Sequence, residues 1–172
     1  MKTSFRIKAL DAAYLEGVRS RGTDEFGNAV IAVANEEPGG TPLRCCLREA
    51  EIGEKVALIA HQPARIGGPY AEVGPVWIHA DRCEGHGAPD AYPEGFRHRR
   101  LLFRAYDARG RQVDNRIAEG AVAEAVIDGL FSRPDVAYIH ARNVLAGCYM
   151  FTVERASWTT PETRRGPTMM VG

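Results

Sequence analysis

Four cysteines and five histidines are the side chains of this 172-residue chain that could hold a metal or pair a nucleophile with a base. The tightest grouping is His79 with Cys83, spaced His-x3-Cys in "WIHADRC", which can bring an imidazole and a thiol to one ion across a strand end. Cys46, Cys148 or His140 would have to complete such a set, and no second close-spaced pair anchors it. Cys45 and Cys46 are adjacent, so on a strand they face opposite ways, and a disulfide between neighbours is strained. Free cysteines often serve as small buried hydrophobes. The expectation is reduced thiols with no metal and no cofactor. Cys83 beside His79, or Cys148 on the face of His140, would also join thiolate to base. Neither lies in a nucleophile elbow or a protease signature, so no catalytic residue is assigned. His61, His86 and His98 fall at loop or strand-end positions and read as surface residues. The glycines of "PGG" and "IGG" open no helix, so they read as turns and not as phosphate loops.

A second constellation comes from strand alternation. In "RRLLFRAYD", Leu101, Phe103 and Ala105 share one side, and Arg104 and Tyr106 share the other with Leu102. In "VGPVWIHA", Trp77 and His79 point together, opposite Val76 and Ile78. "DVAYIHAR" and "CYMFTVER" read as a hairpin across "NVLAG", with Arg142 opposite Cys148, Ala141 opposite Tyr149, Ile139 opposite Phe151 and Ala137 opposite Val153. That register gives one apolar face. The other carries Tyr138, His140 and Arg142 beside Cys148, Met150 and Thr152. If these strands share a sheet, one face gathers Trp77, His79, Arg104, Tyr106, His140 and Arg142. Two guanidiniums, two imidazoles and aromatic walls suit a small anionic ligand, because arginine offers a planar fork to carboxylate or phosphate. The same residues also suit the solvated face of an antiparallel sheet, or a contact with another chain, so an interaction or oligomerisation protein is the competing class.

The elements that must position these groups follow from pattern. "SFRIKAL" alternates as a strand, and Asp11 caps a short helix through about Val18, ended by Arg19 and Gly22. "AVIAVA" (29–34) reads as a buried strand and "EKVALIAHQ" as another. The glycine- and proline-rich stretch 83–98 is the longest loop. "DARGRQV" turns the chain from "RRLLFRAYD" into a shorter partner strand. Asp114 or Asn115 then caps the main helix, "RIAEGAVAEAVIDGLF", whose stripe is Val122, Val126 and Leu130, ended by Pro134. Many strands and few helices predict an α+β fold. It is a single domain over 1–158, with a mostly antiparallel sheet, one main helix and a short N-terminal helix, followed by a tail over 159–172.

Composition narrows the partners. Twenty-two basic residues balance twenty-two acidic ones, and the one compact basic patch is Arg97, His98, Arg99 and Arg100, which argues against nucleic acid. No apolar run approaches a membrane span, and Arg6, Lys8 and Asp11 interrupt the N-terminal stretch as a leader. A cytoplasmic protein with free thiols is expected.

Four blocks carry a resemblance: "PLRCCLREAEIGEKVALIAHQP", "GPYAEVGPVWIHADRC", "RAYD" and "IHARNVLAGCYMFTVER". Together they resemble the bacterial domain of unknown function 1203 family from about Phe5 to Arg155. The resemblance implies no particular chemistry. It does imply a Cys-x-x-Cys ending at Cys46, and here the first position of that pair is Leu43.

Overall fold

A computed structural model describes residues 4–63 and 68–156. The fold is α+β, with two five-stranded sheets and two α-helices among the described residues. The expected tail over 159–172 lies outside the described residues.

The first sheet has the order β1 (Phe5–Lys8), β10 (Tyr149–Arg155), β9 (Tyr138–Asn143), β7 (Arg100–Tyr106), β8 (Gln112–Glu119), and every pair is antiparallel. Its inner face is the apolar side that alternation predicts. Leu101, Phe103, Ala105, Ile139, Ala141, Phe151 and Val153 are closed off from solvent with Ile127, Leu130 and Phe131 of helix α2 (Ala123–Phe131). The second sheet has the order β2 (Val33–Ala34), β5 (Lys55–His61), β6 (Gly74–His79), β3 (Pro42–Leu43), β4 (Arg48–Glu49). One pair here is parallel, β3 with β6, where Leu43 meets Trp77. Val76, Ile78, Ala57 and Ile59 form a separate core with Leu15 and Val18 of helix α1 (Ala12–Arg21). As expected, the Asp11 side chain caps α1, accepting from the Tyr14 amide at 2.8 Å. Gly22, at φ 68°, closes the helix.

Four expectations are corrected. Residues 112–119 form β8 and are not the start of the main helix, which begins only at Ala123. Its buried stripe is Ala123, Ile127 and Leu130, while Val122 is half exposed. Residues 29–34 yield only the two-residue β2, and Ile31 and Val33 face solvent. The final hairpin is shifted, with Ile139 opposite Val153 and Ala141 opposite Phe151. An irregularity between Tyr149 and Phe151 places Tyr149 opposite Arg142. This extra residue turns Met150 into the first core and sends Tyr149 to the second, the reverse of the simple alternation.

One side chain ties the two sheets. Arg44 is 2% exposed, and its Nε donates to the Tyr149 carbonyl of β10 at 2.7 Å while Nη1 donates to Pro42. Its backbone is also committed, donating to the Trp77 carbonyl and accepting from the Leu10 amide, both at 2.9 Å. A buried guanidinium is tolerated only when its donors are matched in this way.

Candidate functional site

The six residues expected to gather separate into two groups. Arg104, Tyr106, His140 and Arg142 lie on one face of the β7–β9 pair, with Arg104 opposite His140 and Tyr106 opposite Tyr138. Trp77 and His79 lie on β6 in the other sheet, so no shared sheet unites the set. Trp77 is half-buried against the second core, and His79 stands at the far end of its strand.

Arg104 and Arg142 line a cavity of about 340 Å³ together with Glu72, Gly74, Pro75, His61 and Tyr149. Both arginines reach one carboxylate. Arg104 Nη1 donates to Glu72 at 3.0 Å, and Arg142 Nη2 also pairs with Glu72. Arg142 Nη1 donates to the Gly147 carbonyl at 3.0 Å, whereas its buried Nε has no hydrogen-bond partner among the described residues. Two positive groups therefore face one negative group. His61, expected on the surface, is half-buried here, with its ring between those of Tyr14 and Tyr149.

Tyr106 and His140 do not line this cavity. Tyr106 stacks on Tyr138 at 5.2 Å, and the His140 ring lies about 5 Å from both and edge-on to Tyr149. Burial, with the charges of Arg142, His61 and Arg104, holds His140 down at about 3, against an ordinary 6.5. The folded form therefore keeps the ring neutral. This group's contribution to stability is fully present above pH 6.5 and is lost as pH falls toward 3, because only the unfolded chain takes up the proton. The loss runs at about 1.4 kcal/mol per pH unit. Urea unfolding at pH 7, 6 and 5 should show a shallower acid decline in His140→Phe than in the parent. Parallel declines in the two proteins would disprove a buried neutral imidazole.

At the other end of β6 stands a cluster that alternation hid. Residues 44–47 form a turn and not a strand, with Leu47 at φ 58°, so Cys45 and Cys46 do not face opposite ways. Their Sγ atoms are 4.0 Å apart, and they lie 3.3 and 3.7 Å from His79 Nδ1. Cys83 joins them, and the four ligand atoms lie within 4.8 Å of one another. The His79 amide donates to Cys45 Sγ at 3.4 Å, and Arg19 grips the His79 carbonyl at 3.1 Å. The hydrogen bond with Cys45 lifts His79 to about 9. The bond between the thiols, then burial, pushes Cys45 up to about 12, and the same bond lowers Cys46. Arg48 holds the neighbouring Glu54 down at about 2. The Cys-x-x-Cys implied by the resemblance is absent: Leu43 is core, and Cys45 supplies the thiol facing His79. Cys148 is elsewhere, pointing to the Ala146 carbonyl, and among the described residues nothing joins it to His140. Among the described residues no helix is long and apolar enough to cross a membrane.

No curated protein and no solved structure matches this chain. A family pattern does match, over residues 40–155, which starts well after Phe5 and leaves β1, α1 and β2 outside the matched region. That span is most of the chain and contains both the arginine cavity and the thiol cluster, and the chain accordingly belongs to the family described as protein of unknown function, DUF1203.

Proposed function

We propose that the cavity between β7–β9 and the start of β6 binds a small anion, a carboxylate or phosphate compound of a few carbon atoms. The observation that carries this reading is the convergence of Arg104 and Arg142 on Glu72, with Arg142 almost wholly buried. Glu72 neutralises one of the two charges and occupies the place an anion would take. Guanidiniums present paired donors that match carboxylate and phosphate oxygens. The volume falls within the range of small-molecule sites.

Glu72 is then a built-in competitor, which makes the reading easy to test. Calorimetric titration with inorganic phosphate and with malonate should show saturable binding of at least one of them. Glu72→Gln should tighten that binding about tenfold, the effect of about 1.4 kcal/mol expected when one charge-assisted bond no longer has to be displaced. Arg104→Gln should weaken it by a similar factor with little change in melting temperature. Failure of both anions to bind the Glu72→Gln protein at millimolar concentration would eliminate the cavity as an anion site.

A further inference from the structure

The thiol cluster has a different chemistry. From its geometry we infer that Cys45, Cys46, Cys83 and His79 form a four-ligand tetrahedral site for a borderline-soft divalent transition metal, with zinc the best match. This departs from the metal-free protein that spacing alone suggests.

Three independent features support the site. The first is distance. A tetrahedral zinc with sulfur at about 2.3 Å and nitrogen at about 2.0–2.1 Å sets its ligands about 3.6–3.8 Å apart. The spacings here are 4.0 Å between Cys45 and Cys46, 3.3 Å from Cys45 to His79, and 3.7 Å from Cys46 to His79. All four ligand atoms lie within 4.8 Å of one another, so a contraction of about 1 Å reaches that geometry. The second feature is chemical type: three thiols and an imidazole are the donors that select zinc over calcium or magnesium, which require oxygen.

The third feature is the support behind the ligands. With Nδ1 turned to the sulfurs, the other nitrogen of His79 lies 3.3 Å from Glu54 Oε1. A metal-binding histidine commonly donates its second N–H to a carboxylate, which fixes the tautomer and the ring orientation. Glu54 is itself held by both terminal nitrogens of Arg48, at 2.8 and 2.6 Å. The His79 amide, bonded to Cys45 Sγ, would soften the charge of a coordinated thiolate. Glu54 is thus a positioning residue.

Four protein ligands leave no open coordination position, so the metal's role is structural. It would join the 44–47 turn, the end of β6 and the start of the 80–93 loop, adding to the backbone bond from the Arg44 amide to the Trp77 carbonyl. Cys45 and Cys83 also border an open cavity beside α1, lined by Glu16, Arg19 and Arg82, which gives an ion a route in.

The test uses the full chain, reduced and stripped with chelator, titrated with cobalt(II) and then zinc(II). Cobalt should give one equivalent of the intense visible bands of a tetrahedral ion and a near-ultraviolet thiolate charge-transfer band, both erased by one equivalent of zinc. Cys46→Ser should abolish or weaken the thiolate band, and Cys148→Ser should leave it intact. Glu54→Gln should retain the spectrum but lower zinc affinity about 10–100-fold. A pale octahedral cobalt spectrum in the parent protein, or equal loss from Cys148→Ser and Cys46→Ser, would overturn the assignment. The parent titration decides the matter even if a variant fails to fold.

Discussion

Alanine in place of Phe151 should cost about 3–5 kcal/mol, the range for removing a large aromatic from a packed interior. Phe151 is fully buried at the centre of the first core. Its ring stacks on Phe96 at 6.3 Å and meets Tyr92 edge-on at 5.8 Å. Both partners come from the long loop after Cys83, so this side chain helps to hold that loop onto the sheet, along with the Ile7 amide bonded to the Pro89 carbonyl. The loop cannot refill the space easily with a larger residue at Gly95, because a Cβ there would lie 2.7 Å from Arg48 Cα and 2.8 Å from the Leu47 carbonyl oxygen. Chemical denaturation gives the number directly. A loss below about 1 kcal/mol, the size of a surface change, would mean that Phe151 is not central to the core.

Gly120→Ala should be comparably damaging for a different reason. A methyl group there would lie 2.5 Å from the Arg97 carbonyl oxygen and 2.7 Å from Arg97 Cα and the Phe96 oxygen, all of them backbone atoms. Backbone cannot rotate aside as a side chain can. The Gly120 amide also donates to the Arg99 carbonyl at 2.8 Å, so relief would break the bond that joins the chain just after β8 to the residue before β7. A destabilisation of about 2–3 kcal/mol or more follows from such overpacking. The matched control is Gly129→Ala. Gly129 lies in α2 with nothing near its Cβ position, and alanine there should stabilise by up to about 1 kcal/mol. The two substitutions are chemically identical and opposite in sign. Equal effects in thermal melts would show that the chain does not approach itself at Gly120.

Gly120 also explains the main misreading of the fold. "RIAEGAVAEAVIDGLF" looks continuous because Val122, Val126 and Leu130 recur every four residues. The preceding residues, QVDNRIAE, show no clear period of their own, and pairing with β7 decides for strand. What ends the strand is the close backbone approach at Gly120, a tertiary fact with no local signature. The "AVIAVA" error has the same origin: β-branched residues mark a strand-forming tendency, but here the segment runs along an edge and its large side chains stay exposed. Where one face is more deeply buried than the other, as over most of β7, alternation alone identified the inner residues.

The sites divide along the same line. Arg104, His140 and Arg142 could be placed on one face because they belong to two strands with clear alternation. That His140 is closed in by tyrosines while the arginines open onto a cavity depends on Tyr149, and its direction is set by the irregularity beside Met150. The thiol cluster was illegible for a sharper reason. Adjacent residues diverge on a strand, but the left-handed Leu47 makes 44–47 a turn, and a turn can aim neighbours at one point. Glu54 carried no signal in the sequence at all; only folding brings it to His79.

The Arg44 tie has a consequence for how the chain can change in length through descent. Four successive residues make the sheet-to-sheet link, bring two thiols to His79 and reverse direction through Leu47, whose amide returns to the Leu43 carbonyl at 3.0 Å. One inserted residue would rotate Arg44 away from Tyr149 or Cys46 away from His79, since the turn has no slack to absorb it. The 143–147 loop is the opposite case: Leu145 is 97% exposed at its tip, and the bonds that shape the loop among the described residues are local. Insertions and deletions should therefore accumulate at that tip and be purged from 43–48, so the turn acts as the fixed origin from which both halves of the molecule keep their register.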